Sequence, residues 1–324
     1  MFFCKGKSGF TLIELVMVIV ILTIISSLAV SKFSTLKADS ARKVSIANQQ
    51  AIGRAVETYL AVNNGEGVNR LDSLIDEGTS NNSGQQGFDF NTASSDATVG
   101  GMYCGPVDLG SLTRDTVEDR NRGLHEDLRS VLCLYQVSEA EAKAFRRIGL
   151  DYVMRHNTYA SGYPFAHYGK GDDGTIPQAA DGLDPALSAC MARTVTNGMV
   201  FAAVNPKTDF GRVIYQDFGQ DLLPTANWGQ GYTDAEAKEQ VTATGGPLLC
   251  FGLGSNCSMV GKSRGGLETA PYSEVLGSEY YRQYILVFRL KSSGGGSATM
   301  VTAEFAGVLD PEGNTIRKAR YLLK

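Results

Sequence analysis

One acid sits where an acid is costly. Glu14 lies inside the run Phe10–Val30, FTLIELVMVIVILTIISSLAV, which is otherwise apolar apart from scattered Thr and Ser. About 21 residues at about 1.5 Å each make roughly 30 Å of helix, enough to cross the hydrocarbon of a bilayer. A carboxylate there costs at least about 2.5 kcal/mol unless it finds a partner. The chemistry this position asks for is therefore charge neutralisation by an amine. Lys5 and Lys7 precede the run, while Lys32, Lys37 and Lys43 follow it, so charge alone orients it poorly.

The residues around Glu14 form a pattern. A short leader with Lys5 and Lys7 ends in Gly9, and Phe10, Thr11, Leu12, Ile13, Glu14 and Leu15 open the apolar run. This resembles the class III signal of type IV pilins and type II secretion pseudopilins, over about the first 60 residues. The resemblance implies cleavage between Gly9 and Phe10 by a membrane prepilin peptidase, which also N-methylates Phe10. The new α-amino group would lie one helical turn from Glu14. The family packs these helices into a filament, with the acid neutralising the amine of an adjacent subunit. Retention of Glu14 favours a subunit that adds beneath others. Many major pilins carry proline where this chain has Ser31, so the chain departs from the family at the point where those helices loosen. An ordinary secretory signal, cut near Ser26-Ser27-Leu28-Ala29, would leave Glu14 unexplained.

At 324 residues the chain can bury a sizeable core, and its net charge of −4 gives no basic patch for nucleic acid. Cys4 lies in the leader. An exported body permits disulfides among the rest. Cys250 and Cys257 are the best pair, Cys104 with Cys133 a second candidate, and Cys190 the odd thiol. Asp172 and Asp173, between glycines, could bind calcium through oxygen, but a solvated turn explains them without a metal. Some pseudopilins hold calcium in a C-terminal loop, which singles out Asp310, Glu312 and Asn314. The tight Pro-Glu-Gly turn explains those residues equally well. His125, His156 and His167 are the only histidines, and no G-x-S-x-G elbow accompanies them. Gly252-Leu253-Gly254 lacks Walker spacing and reads as a Gly-rich loop.

The elements that position Glu14 follow from periodicity. Phe33, Leu36, Val44, Ile52, Val56, Tyr59 and Leu60 recur at intervals of three and four, continuing the helix to an Asn63-Asn64-Gly65 stop. One helix of about 50 residues, about 80 Å long, is expected. Leu71–Ile75 reads as a short helical turn, and Glu77–Ala97 as an exposed loop. Leu124–Leu134 reads as a short helix. Ser138 and Glu141 form a capping box opening a helix stopped by Gly149, and Asp151–Arg155 reads as a strand. Tyr159–Pro185 reads as loop, Gly198–Val204 and Arg212–Phe218 as strands, and Asp234–Val241 as a helix capped by Thr233. Tyr280–Lys291, Ala298–Leu309 and Thr315–Leu323 read as a three-stranded antiparallel meander covering the stripe Ile52–Leu60.

The expected fold is α+β and pilin-like, a long N-terminal helix packed on a C-terminal meander with a large central insertion. The divisions are leader 1–9, transmembrane and polymerisation helix 10–30, helical spine 31–64, insertion 65–270 and sheet 271–324. The expected function is a pilin-like structural subunit without catalysis or required cofactor, a type II secretion pseudopilin. A type IV pilus subunit with an adhesive or substrate-binding central region is the alternative. Expected partners are the prepilin peptidase, sister subunits, and an inner-membrane assembly platform with its ATPase. The expected location is the bacterial inner membrane, single-pass, with the body in the periplasm or in an extracellular filament.

Overall fold

The computed structural model describes residues 11–63, 67–75, 98–99, 102–103, 124–155, 191–219, 241, 245–261, 265–276, 280–293 and 300–323. The readings over Glu77–Ala97, Tyr159–Pro185 and Asp234–Val241 fall wholly or almost wholly outside them.

Helix α1 runs from Leu12 to Val62, 51 residues, ended by Asn63, whose N–H donates to the Tyr59 carbonyl. Its two halves differ. Leu12, Phe33, Leu36 and Val44 are largely exposed, at 81%, 71%, 60% and 55%. Burial begins at Ser45 and Ile46 and continues through Gln49, Ile52, Val56 and Tyr59. The expected single apolar stripe is therefore divided: only the part beyond Val44 meets the body. No helix among the described residues is long and apolar enough to cross a membrane.

Among the described residues, ten strands form one mixed sheet. They are β1 (Leu71–Ser73), β2 (Thr98–Val99), β3 (Met102–Tyr103), β4 (Leu132–Gln136), β5 (Tyr152–Arg155), β6 (Met191–Thr194), β7 (Val200–Val204), β8 (Leu248–Gly252), β9 (Ile285–Ser293) and β10 (Met300–Leu309). The order is β2-β3-β4-β7-β8-β1-β5-β6, with β9 on β8 and β10 on β9. Only β1 and β5 pair in parallel. Strand β8 lies antiparallel to β9 along Leu248–Gly252. Its other edge is shared: Leu249 and Cys250 pair with β7, whereas Phe251 and Gly252 pair with β1. The sheet thus forks at β8, and strands from the central region are continuous with the C-terminal hairpin.

Four further helices are described: α2 (Glu126–Ser130), α3 (Glu139–Arg147), α4 (Asp209–Phe218) and α5 (Ile316–Tyr321). Both faces of the sheet are covered. One core layer joins Ile52, Val56 and Tyr59 of α1 and Phe145 of α3 to Phe201, Leu249, Phe251, Leu286 and Phe288. The other joins Leu128 of α2, and Ile214 and Tyr215 of α4, to Leu132, Leu134, Val200, Val204, Leu248 and Val287. Strands buried on both faces read as continuous apolar runs, as VFAAV and LLCFG do here. At the centre of the first layer Phe145 meets Phe201, Phe251 and Phe288 edge-to-face, with ring centroids 6.3, 5.6 and 6.5 Å away.

Four readings are corrected. Leu71–Ser73 is strand, buried on both faces, not a helical turn. Leu124–Leu134 divides into α2 and the start of β4, with Val131 between. Arg212–Phe218 is helical: Thr208 accepts the Gly211 N–H, and the buried set Gly211, Arg212, Ile214 and Tyr215 has helical spacing. Thr315–Leu323 is α5, not a third strand. Thr315 accepts the Lys318 N–H, Ala319 is buried, and Lys318 and Arg320 sit where the helix dipole favours cations. The meander is completed instead by β8, giving β8-β9-β10. A bulge in β10 sets Phe305 opposite Phe288 and Gly307 opposite Val287, leaving Ala306 as the extra residue. Helix α5 lies alongside α1.

Candidate functional site: the start of α1

Thr11 is the N-cap of α1, with extended backbone. Its hydroxyl oxygen accepts the Glu14 N–H at 3.4 Å. In return, Glu14 Oε2 accepts the Thr11 N–H at 2.8 Å and the Thr11 hydroxyl at 2.8 Å. This reciprocal arrangement satisfies two of the donors that a helix start leaves open, and it holds the carboxylate at the positive end of the dipole. Behind it, every large apolar residue from Leu12 to Ile25 is exposed by between 46% and 81%, on all sides of the helix. A helix apolar all round belongs inside a larger core or a membrane, and among the described residues the body leaves it exposed. Gly9 and Phe10 lie outside the described residues.

The site thus consists of an exposed greasy rod headed by one acid that is held by its own cap. Residues 4–30 match the family model of the prokaryotic N-terminal methylation motif. The chain carries a prepilin-type signal. That signal belongs to type IV pilins and pseudopilins, and it implies processing by a prepilin peptidase and assembly with other pilin subunits. Neither a curated protein nor a solved structure matches this chain. The prepilin-type signal stands alone at the N-terminus as the matched segment, and Glu14 is the one of its three key residues that the structure places.

The other candidates are dispersed. Cys250 and Cys257 are free and buried, so the expected bridge is not formed. Cys250, on β8, belongs to the layer with α2 and α4, whereas Cys257, in the turn beyond that strand, belongs to the layer with α1. Burial pushes the Cys257 thiol up to about 12. Cys133 lies on β4 in the α1 layer, while Cys104 and Cys190 lie outside the described residues. Asp172, Asp173, His156 and His167 also lie outside them. His125 caps α2, its Nδ1 accepting the Asp127 N–H at 3.3 Å, and it meets Tyr280 edge-on at 5.0 Å.

Asp310 and Glu312 do come together, in the turn between β10 and α5. Asp310 Oδ1 accepts the N–H groups of Glu312 at 3.0 Å and Asn314 at 2.7 Å, and Oδ2 accepts Asn314 Nδ2 at 3.0 Å. Asn314 Nδ2 also reaches Glu312 Oε2 at 3.1 Å. Amide donors therefore occupy the oxygens that calcium would need. No group of three or more His, Cys, Asp or Glu among the described residues could hold a metal. The turn instead serves the architecture. Its Asn314 carbonyl accepts Gln49 Nε2 of α1 at 3.0 Å, fixing the point where α1 joins the body. Burial raises Asp310 to about 6 despite those donors.

Sequence reasoning found Glu14 but not a second acid in an apolar setting, Asp72 of β1. It is buried, its carboxylate raised to about 7 by desolvation, and Tyr281 donates to Oδ2 at 2.9 Å. The signal was present: Asp72 interrupts Leu71-Asp72-Ser73-Leu74-Ile75 as Glu14 interrupts its own run.

Proposed function

We propose that this chain is a structural subunit of a type II secretion pseudopilus. On this reading it is cut after Gly9, N-methylated at Phe10, and polymerised through α1. The observation that carries it is the exposed apolar half of α1 headed by Glu14, within a matched prepilin-type signal. Before assembly that half lies in the inner membrane, with the body in the periplasm. After assembly it is covered by the same segment of neighbours. Cleavage frees the Phe10 amine next to an acid already ordered by Thr11, and a neighbour's amine can replace the Thr11 donors. The subunit catalyses nothing and needs no cofactor. Its partners are sister subunits, the prepilin peptidase, and a membrane platform driven by an ATPase. The large body, with no cysteine after Cys257, supports a pseudopilin over a major pilin closed by a C-terminal cysteine loop.

The test is Glu14→Ala in cells. Mature product should still begin at N-methylated Phe10 by mass spectrometry, while recovery in the sheared filament fraction falls at least tenfold. Filaments at the parental level would refute the neutralisation step. A mature N-terminus other than Phe10 would refute the whole reading. Loss of surface fibres without loss of secretion would favour the type IV pilus alternative, with the central region as its binding part.

A further inference from the structure

Strands β1, β5 and β6 form a wing that joins the sheet through β1 alone. Two residue pairs join β1 to β8 there: Asp72 opposite Gly252 and Ser73 opposite Phe251. Asp72 lies at that seam. A Cβ at Gly254 would fall 2.2 Å from its Oδ2, and one at Gly252 would fall 1.8 Å from the Tyr281 hydroxyl. The Gly252-Leu253-Gly254 ridge is therefore shaped to seat the carboxyl and the phenol flat against the backbone. Among the described residues no counter-charge to this carboxyl is found. Two titratable groups face it, the Tyr281 hydroxyl, which donates to it, and the Cys257 thiol, whose own ionisation burial pushes up to about 12. Strand β5 places Met154 opposite Asp72, and β8 places Gly252 opposite Asp72 and Phe251 opposite Ser73, so neither brings a cation to that position. A buried carboxylate with one neutral donor is disfavoured, whereas a protonated carboxyl shares its hydrogen bond with Tyr281 at no such cost.

We propose that Asp72 is a proton-operated latch: protonated, it fastens the β1–β5–β6 wing to β8, and its ionisation loosens that wing while the rest of the sheet stays closed. Burial places the closed-state titration near 7, and once the seam opens to water the group returns toward the ordinary carboxylate range. Between those limits opening releases a proton, so it grows with pH, about tenfold per unit, and levels off above about 7.

The experiment is amide hydrogen exchange, read by mass spectrometry on the full chain in detergent micelles from pH 5 to pH 8.5, corrected for intrinsic exchange. Protection of β1, β5 and β6 should fall about tenfold per unit between pH 5 and 7 and then flatten, while β4 and β7 stay more strongly protected at every pH. Asp72→Asn should give a flat profile at the low-pH level of protection. Should that variant fail to fold, Tyr281→Phe removes a hydrogen bond that favours the ionised form, and must move the flattening point to higher pH. A pH-independent wing, a wing protected as strongly as β4 and β7 at every pH, or an unmoved flattening point in Tyr281→Phe would each overturn the latch.

Discussion

A carboxylate inside apolar surroundings declares itself by what it bonds to. Glu14 is exposed at the head of α1, and Thr11 of its own chain supplies both donors. Polymerisation would exchange those bonds for a neighbour's amine, so assembly competes with the capping box. Glu14 stood out because an acid among sixteen apolar residues of a 21-residue run has few explanations. The cysteines were not legible in this way. Spacing alone made Cys250 and Cys257 a pair, but Cys250 lies on β8 and Cys257 in the turn beyond it, and only the fold reveals which core layer each faces. The expected outcome follows: in unfolded, non-reduced protein, Cys250 and Cys257 should each take up one alkyl group by peptide mapping, and a linked peptide containing both would contradict the structure.

At the scale of elements, local signals that name a mechanism carried through. The Ser138–Glu141 box opens α3, with the Glu141 side chain accepting the Ser138 N–H at 2.7 Å, and Gly149 follows the helix at φ 82°. Signals that rest on composition did not. Thr315–Leu323 and Arg212–Phe218 are rich in β-branched and aromatic residues, yet both are helical, because Thr315 and Thr208 cap them and each presents a buried side only at helical spacing. The cap at Thr315 also has a second bond, its hydroxyl donating to Asp217 of α4, while Arg317 pairs with Asp217 at 3.1 Å. Thr315→Ala should therefore lower stability by about 1–2 kcal/mol, near the upper end for a lost cap, seen as a melting point several degrees lower. Thr315→Ser should restore most of it.

For the molecule as a whole, two buried acids give stability a slope in pH. Desolvation raises Asp72 to about 7 and Asp310 to about 6, whereas in the unfolded chain both return to near 3.9. The folded state therefore binds more protons between those values, and stability is greatest at the acidic end and declines as pH rises from about 4 through 7. Denaturant midpoints at pH 5 and pH 7.5 check the sign: a higher midpoint at pH 7.5 would contradict it. Much of this plan was readable in advance. The long helix, its stop at Asn63, and the antiparallel hairpin near the C-terminus were there in the periodicity. The second helical layer and the fork at β8 were not, because they depend on which distant runs pair, and apolar runs such as LLCFG carry no address.

The bulge in β10 has a consequence for chain length. Ala306 and Gly307 together stand opposite one residue of β9, and a Cβ on Gly307 would lie 2.3 Å from the Phe218 ring of α4. Beyond them Val308 and Leu309 already alternate between the two core layers as a regular pleat would require. Deleting Ala306 would therefore keep every later side chain on its present side, including the turn that grips Gln49. Adding a single methyl group at Gly307 would not be so quiet, so at this corner the chain tolerates a missing link better than an extra carbon.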